Sequence, residues 1–200
     1  MLRARIVHWF AEMLLVFVGA YAAFWLNNYQ EHRREQQRHD QILALLEQQV
    51  ARDIEGGKNS SAQYAKIVAE FRRAYDAGEM PPLSGIDFNS DYSATDTATL
   101  LQSGGYQLLD PQTLFALRKV ESTLRNGLNT MSHFQKLTDE LIVPNLDQDI
   151  AFFYDPTTRK LRRRFARYPA GLESVKTFLD DYVTVETDLL TQLQAERRHH

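Results

Sequence analysis

The stretch HWFAEMLLVFVGAYAAFWLNNYQEH, residues 8–32, decides how the whole chain is read. It lies in an apolar run of about 21 residues, 6–26, which at 1.5 Å per helical residue covers roughly 30 Å of hydrocarbon. Its length predicts a transmembrane helix. A cleaved signal is the competing reading, because Ala20, Tyr21 and Ala22 form an A-x-A site behind Arg3, Arg5 and the apolar residues 13–18. Apolar character continues past that site through Phe24, Trp25 and Leu26, and the helical pattern then runs on unbroken, which favours a retained anchor. Trp9 at one end and Trp25 with Tyr29 at the other stand where amphipathic aromatics prefer the headgroup zone.

At about 100° per residue, His8, Glu12, Gly19, Ala23 and Asn27 fall on one narrow stripe of that helix. Gly19 and Ala23 form a small-xxx-small pair that admits a second helix, and polar groups within a span point toward protein rather than lipid. The expected partners are the bilayer itself and either a second copy of the chain or another membrane protein. Basic residues flank the span on both sides, Arg3 and Arg5 before it and Arg33, Arg34 and Arg38 after it, so the charge rule discriminates little. The orientation expected is N-terminus inside. The chain would then sit in a bacterial inner membrane with its larger domain in the periplasm.

Working outward, residues 27–41 are polar all round and read as a stalk, and Ile42, Leu43, Leu46, Val50 and Ile54 then share one side. Gly56 and Gly57 are expected to stop this helix, with Asn59, Ser60 and Ser61 capping a second one that carries Tyr64, Ile67, Val68, Phe71 and Tyr75 and ends at Gly78. Residues 80–85, with Pro81, Pro82 and Gly85, form a loop, and a short helix is expected from Ala94 to Leu101. Asp110 before Pro111 starts a long helix marked by Leu114, Leu117, Val120, Leu124, Leu128 and Met131, which should end near Val143 because Pro144 follows. The last helix uses Leu172, Val175, Leu179, Tyr182, Leu189 and Leu193 at near-heptad, coiled-coil-like steps, with Glu186 interrupting the seam. The fold class expected is all-α: an N-terminal transmembrane helix in residues 1–26, continuing into an antiparallel up-and-down bundle of four helices in residues 27–200.

Two stretches carry a resemblance. Glu12, then LLVFVG ending at Gly19, then Ala23 and NNYQEHR from Asn27, is similar to the opening of a family of uncharacterised bacterial single-span proteins with a domain of unknown function. LLQSGGYQLLDPQTLFALRKVES, residues 100–122, resembles that family's second recurring stretch, although Tyr29 stands where the family usually has Trp. The resemblance implies membrane anchoring and helical structure, and it brings no reaction or catalytic residue.

Composition narrows the chemistry. The 200 residues have a net charge of -3, so no global basic field recruits nucleic acid, and with no cysteine there are neither disulfides nor thiolate metal sites. GGKNS, residues 56–60, lacks the upstream glycine and the preceding strand of a phosphate loop, and SGGY, residues 103–106, reads as a turn. His32, His39 and His133 make no zinc-helix pair, and the adjacent carboxylates Asp139 with Glu140 and Asp180 with Asp181 diverge on helices. No cofactor, metal or catalytic residue is expected. The most unusual feature of the second domain is RKLRRRFARY, residues 159–168: Arg159, Lys160, Arg162, Arg163, Arg164 and Arg167 surround Leu161, Phe165 and Tyr168. Such a patch suits an anionic partner, lipid or acidic protein. The function expected is a non-enzymatic, membrane-anchored interaction or assembly protein, with a periplasmic small-molecule-sensing bundle acting through a separate signalling partner as the alternative.

Overall fold

The computed structural model describes the backbone of residues 2–85 and 108–199, and the side chains of residues 13–85 and 108–198. The chain is all-α: α1 (Leu2–Asp76), α2 (Pro111–Leu141), the single turn α3 (Ile150–Phe153) and α4 (Tyr168–His199), with short 3-10 turns at Val143–Asn145 and Arg163–Phe165. The short helix expected from Ala94 and the SGGY turn lie outside the described residues. Two compact units divide the chain, Met1–Ala44 and Leu45–His200.

In the first unit every residue from 13 to 38 is exposed, and burial begins at His39, Ile42 and Leu43. The span expected over residues 6–26 is not recovered: among the described residues, no helix is long and apolar enough to cross a membrane. The described side chains begin at Met13, so the part of the expected run in residues 6–12 lies outside them.

The second unit corrects the helix count, because α1 runs straight through Gly56 and Gly57. A glycine inside a helix costs about 1 kcal/mol relative to alanine, and here packing offsets that cost. A Cβ on Gly57 would lie 2.9 Å from Val183 Cγ2, so the bare backbone is what lets α4 approach. Four residues on, Ser61 donates a hydrogen bond to the Asp180 carboxylate instead of capping a new helix. Val50 and Ile54 before the glycines and Val68 and Phe71 after them are buried, which continues one apolar stripe across the expected break. The helix stops at Gly78 as expected. Its φ of 75° is left-handed, the Gly78 amide donates to Tyr75 O at 3.1 Å and the Glu79 amide to Ala74 O at 2.9 Å, together a Schellman cap.

α2 begins at Pro111, but the carboxyl of Asp110 bonds no amide of its first turn. The backbone amide of Asp110 instead donates to Glu196 Oε1 at 3.0 Å, tying the start of α2 to the end of α4. α2 ends at Leu141, just before the turn that holds Pro144. Leu117, Val120, Leu124 and Met131 are buried, whereas Leu128 is 37% exposed. Its neighbour Gly127 takes the seam, because a Cβ there would fall 1.8 Å from the ring of Phe178.

Cross-helix pairs fix the topology. Glu47 with Arg197, Gly57 with Val183, Ser61 with Asp180 and Arg72 with Glu173 show that the second part of α1 runs antiparallel to α4. Lys119 with Asp188, Gly127 with Phe178 and Phe134 with Gly171 show the same for α2. The up-and-down expectation is therefore corrected: two helices of like direction flank α4, and among the described residues the bundle has three long helices rather than four. The α1–α2 connection is held at opposite ends of α4, by Ser84 N to Tyr168 Oη at 3.2 Å and by Asp110 to Glu196.

Candidate functional site

The basic run is organised by what it buries. Tyr154 and Leu161 form an isolated antiparallel bridge, the Asp155 amide donates to Lys160 O at 2.9 Å and the Arg162 amide to Phe153 O at 2.9 Å. Arg159 takes the left-handed turn position with φ 55°. Leu161, Phe165 and Tyr168 are buried in the bundle rather than presented with the arginines as one surface face, and a tight turn and a 3-10 turn, not one helix, bring them there. They pack into an aromatic cluster in which Phe153 lies 5.1 Å from Phe165, and Tyr168 lies 5.5 Å from both Phe71 and Phe134. Tyr154 donates its hydroxyl proton to Pro81 O at 2.6 Å, and burial pushes that phenol above its ordinary range.

This scaffold sorts the six cations. Arg162 donates from Nε to the carbonyls of Tyr154 and Ala151 at 3.1 and 3.2 Å, and Arg159 reaches the Gly78 carbonyl at 3.4 Å. Both hold the turn together. Asp155, the nearest carboxylate in sequence, accepts from the amides of Thr157 and Thr158 at 2.9 Å each, and those two bonds hold its carboxyl below the usual range. Lys160 is exposed and does not join the others.

Arg163, Arg164 and Arg167 line a groove of about 870 Å³ between the end of α2 and the start of α4. The same groove is lined by His133, Lys136 and Glu140 from α2. Arg164 is held in place, its guanidinium 4.1 Å from the Phe152 ring centre and 4.6 Å from that of Phe165. Glu140 lies 3.8 Å from Lys136. Among the described residues, no carboxylate lies within ion-pair distance of Arg163, Arg164 or Arg167. The arginines were visible in the sequence, but His133 and Lys136 were not assigned to them; the signal available was their spacing, since positions four and seven residues before Glu140 put Lys136 and His133 on its helix face.

The expected membrane-helix face is divided. Gly19, Ala23 and Asn27 are exposed along α1, and a Cβ on Gly19 would meet nothing within 4 Å. The side chains of His8 and Glu12 lie outside the described residues. Large apolar groups beside this face are open: Leu15 is 77% exposed and Phe24 81%. Trp25 and Tyr29 stack with ring centres 5.9 Å apart, and the Arg33 guanidinium lies 5.1 Å from the Tyr29 ring centre.

One further group is the carboxylate expected to interrupt the last helix's seam. Glu186, which breaks the α4 seam, is only 3% exposed, and one of its carboxylate oxygens has no hydrogen-bond partner among the described residues. Burial pushes its carboxyl up to about 7, the charge of Asp53 adds to that, and a hydrogen bond with Tyr182 opposes it. It lines none of the described grooves. The residues GGKNS lie inside α1 and form no loop, and among the described residues no three His, Asp or Glu side chains converge as a metal site. No family model, no curated protein and no solved structure matches the chain.

Proposed function

We propose that the chain is a non-enzymatic membrane-anchored interaction or assembly protein, held by the N-terminal part of α1 with the helical bundle as its working domain. The observation that carries this reading is the exposure of Leu14, Leu15, Val16, Phe17, Phe24 and Trp25, which lie around the helix rather than on one side. A helix that is apolar all round belongs in a large core or in lipid, and each such side chain left in water forgoes about 1.5–3 kcal/mol of burial. Taken with the apolar residues expected at 6–12, the run reaches the length of a span. The Trp25, Tyr29 and Arg33 stack supports a boundary at its C-terminal side, because amphipathic rings and a snorkelling guanidinium suit the headgroup zone. The similarity of NNYQEHR to single-span bacterial proteins supports the same anchoring, and with the N-terminus inside a bacterial inner membrane the bundle would lie in the periplasm.

Gly19 and Ala23 offer the surface for a second helix, from another copy or from a membrane partner. Alkaline carbonate extraction of membranes expressing the full chain tests the anchor. The protein stays in the pellet if residues 6–26 span the bilayer, and release into the supernatant sinks the reading.

A further inference from the structure

We propose that the groove between the end of α2 and the start of α4 binds a compact, multiply charged phosphate-bearing anion. This goes beyond anchoring and does not depend on where the first unit resides. The groove gathers five basic side chains, His133, Lys136, Arg163, Arg164 and Arg167, against the single carboxylate of Glu140. That carboxylate is already shared with Lys136. The groove of about 860 Å³ farther along α2 and α4 differs in kind, since two carboxylates, Glu173 and Asp181, line it beside the single cation Lys119.

Three guanidinium groups gathered with no carboxylate at ion-pair distance repel one another, a cost that an anion in the groove would relieve. Arginine presents a planar fork that matches phosphate oxygens two at a time, and three forks need more negative charge than one carboxylate offers. Arg164 is preorganised by its two ring contacts, so less rotamer freedom is lost on binding. Ala170 and Gly171, in the first turn of α4, also line the groove and bring the positive end of the helix to it. The volume falls in the range typical of small-ligand sites, roughly 300–1,000 Å³. Lipid headgroups carry the same phosphate chemistry as a soluble ligand, but the large apolar side chains that line the groove, Phe134, Leu137 and Leu141, are buried or half-buried, and none is exposed to meet acyl chains. A soluble ligand is the assignment.

Calorimetric titration of the full chain in uncharged detergent with inorganic pyrophosphate tests it. One saturable site is expected, weakened by added salt and weakened about tenfold or more by Arg163→Gln with Arg167→Gln, at the scale of a lost charge-assisted hydrogen bond. Both side chains are exposed, so thermal unfolding of the double variant should match that of the parent. Glu140→Gln should act in the opposite direction, tightening binding by roughly twofold to fivefold. Equal binding by parent and double variant, or no effect of Glu140→Gln, overturns the site. Binding only to micelles doped with phosphatidylglycerol, lost in the double variant, would make the groove a lipid contact and overturn the soluble-ligand assignment. None of these results bears on carbonate extraction, so anchor and groove fail separately.

Discussion

One helix meets two fates. Between residues 45 and 76, α1 buries a single stripe, with Leu46 1% exposed and Val50 2%, and leaves its exposed side mostly polar, Leu45 and Ile67 apart. Between residues 13 and 26, the same helix leaves every side chain exposed although most are apolar. The difference teaches that apolar content alone does not specify a core. A stripe at helical spacing is answered within the chain by α4, whereas the apolar surface of residues 13–26 is the part we propose to lie in lipid.

The largest test of that contrast sets two leucines against each other. Leu46→Ala should cost about 2–5 kcal/mol of bundle stability, the range for deleting a buried leucine, and Leu15→Ala should change it by less than about 0.5 kcal/mol. Denaturant unfolding of the full chain in detergent, followed by a bundle-sensitive probe, measures both. Comparable losses would break the comparison.

Glu186 gives a pH-dependent version within the bundle. Its carboxyl titrates near 7 in the folded chain and near 4.5 when unfolded, so between those values the folded state holds the extra proton and stability falls as pH rises. Glu186→Gln removes that loss and should stabilise the bundle by up to about 3 kcal/mol at pH 8, with the advantage vanishing below about pH 4.5. Thermal unfolding across pH 4–8 reads it, and parallel curves for parent and variant would count against the buried carboxylate. The smallest effect belongs to the paired glycines. Gly56 faces open space, so Gly56→Ala should gain about 0.5–1 kcal/mol, whereas Gly57→Ala meets Val183 and should lose that gain. Equal shifts in the two melting curves would remove the packing explanation for the unbroken helix.

These contrasts also mark what was legible beforehand. Helical seams could be read from spacing alone: Leu43, Leu46, Val50 and Ile54 are buried, and so is the whole Leu172-to-Leu193 seam. The Pro111 start and the Gly78 stop followed from backbone chemistry that involves no distant residue. Gly56 and Gly57 misled because a glycine that ends a helix and a glycine that admits a neighbour look identical until Val183 and Tyr182 are in place. Helix direction was hidden for the same reason, since it depends on a connection tied to opposite ends of α4. In the candidate groove, the arginines were visible as a run, but only packing brings His133 and Lys136 to Arg163, Arg164 and Arg167 and sends Arg159 and Arg162 to backbone carbonyls.

The central claim is that the exposed apolar part of α1 resides in lipid with Trp25 at its boundary. The sequence holds two tryptophans, so a Trp9→Phe variant leaves Trp25 as the sole indole reporter. Reconstituted into vesicles, its emission should shift to the blue and be quenched more by lipids brominated near the headgroup than by lipids brominated at mid-chain. Emission at the wavelength of water-exposed indole, unquenched by either lipid, would contradict the account.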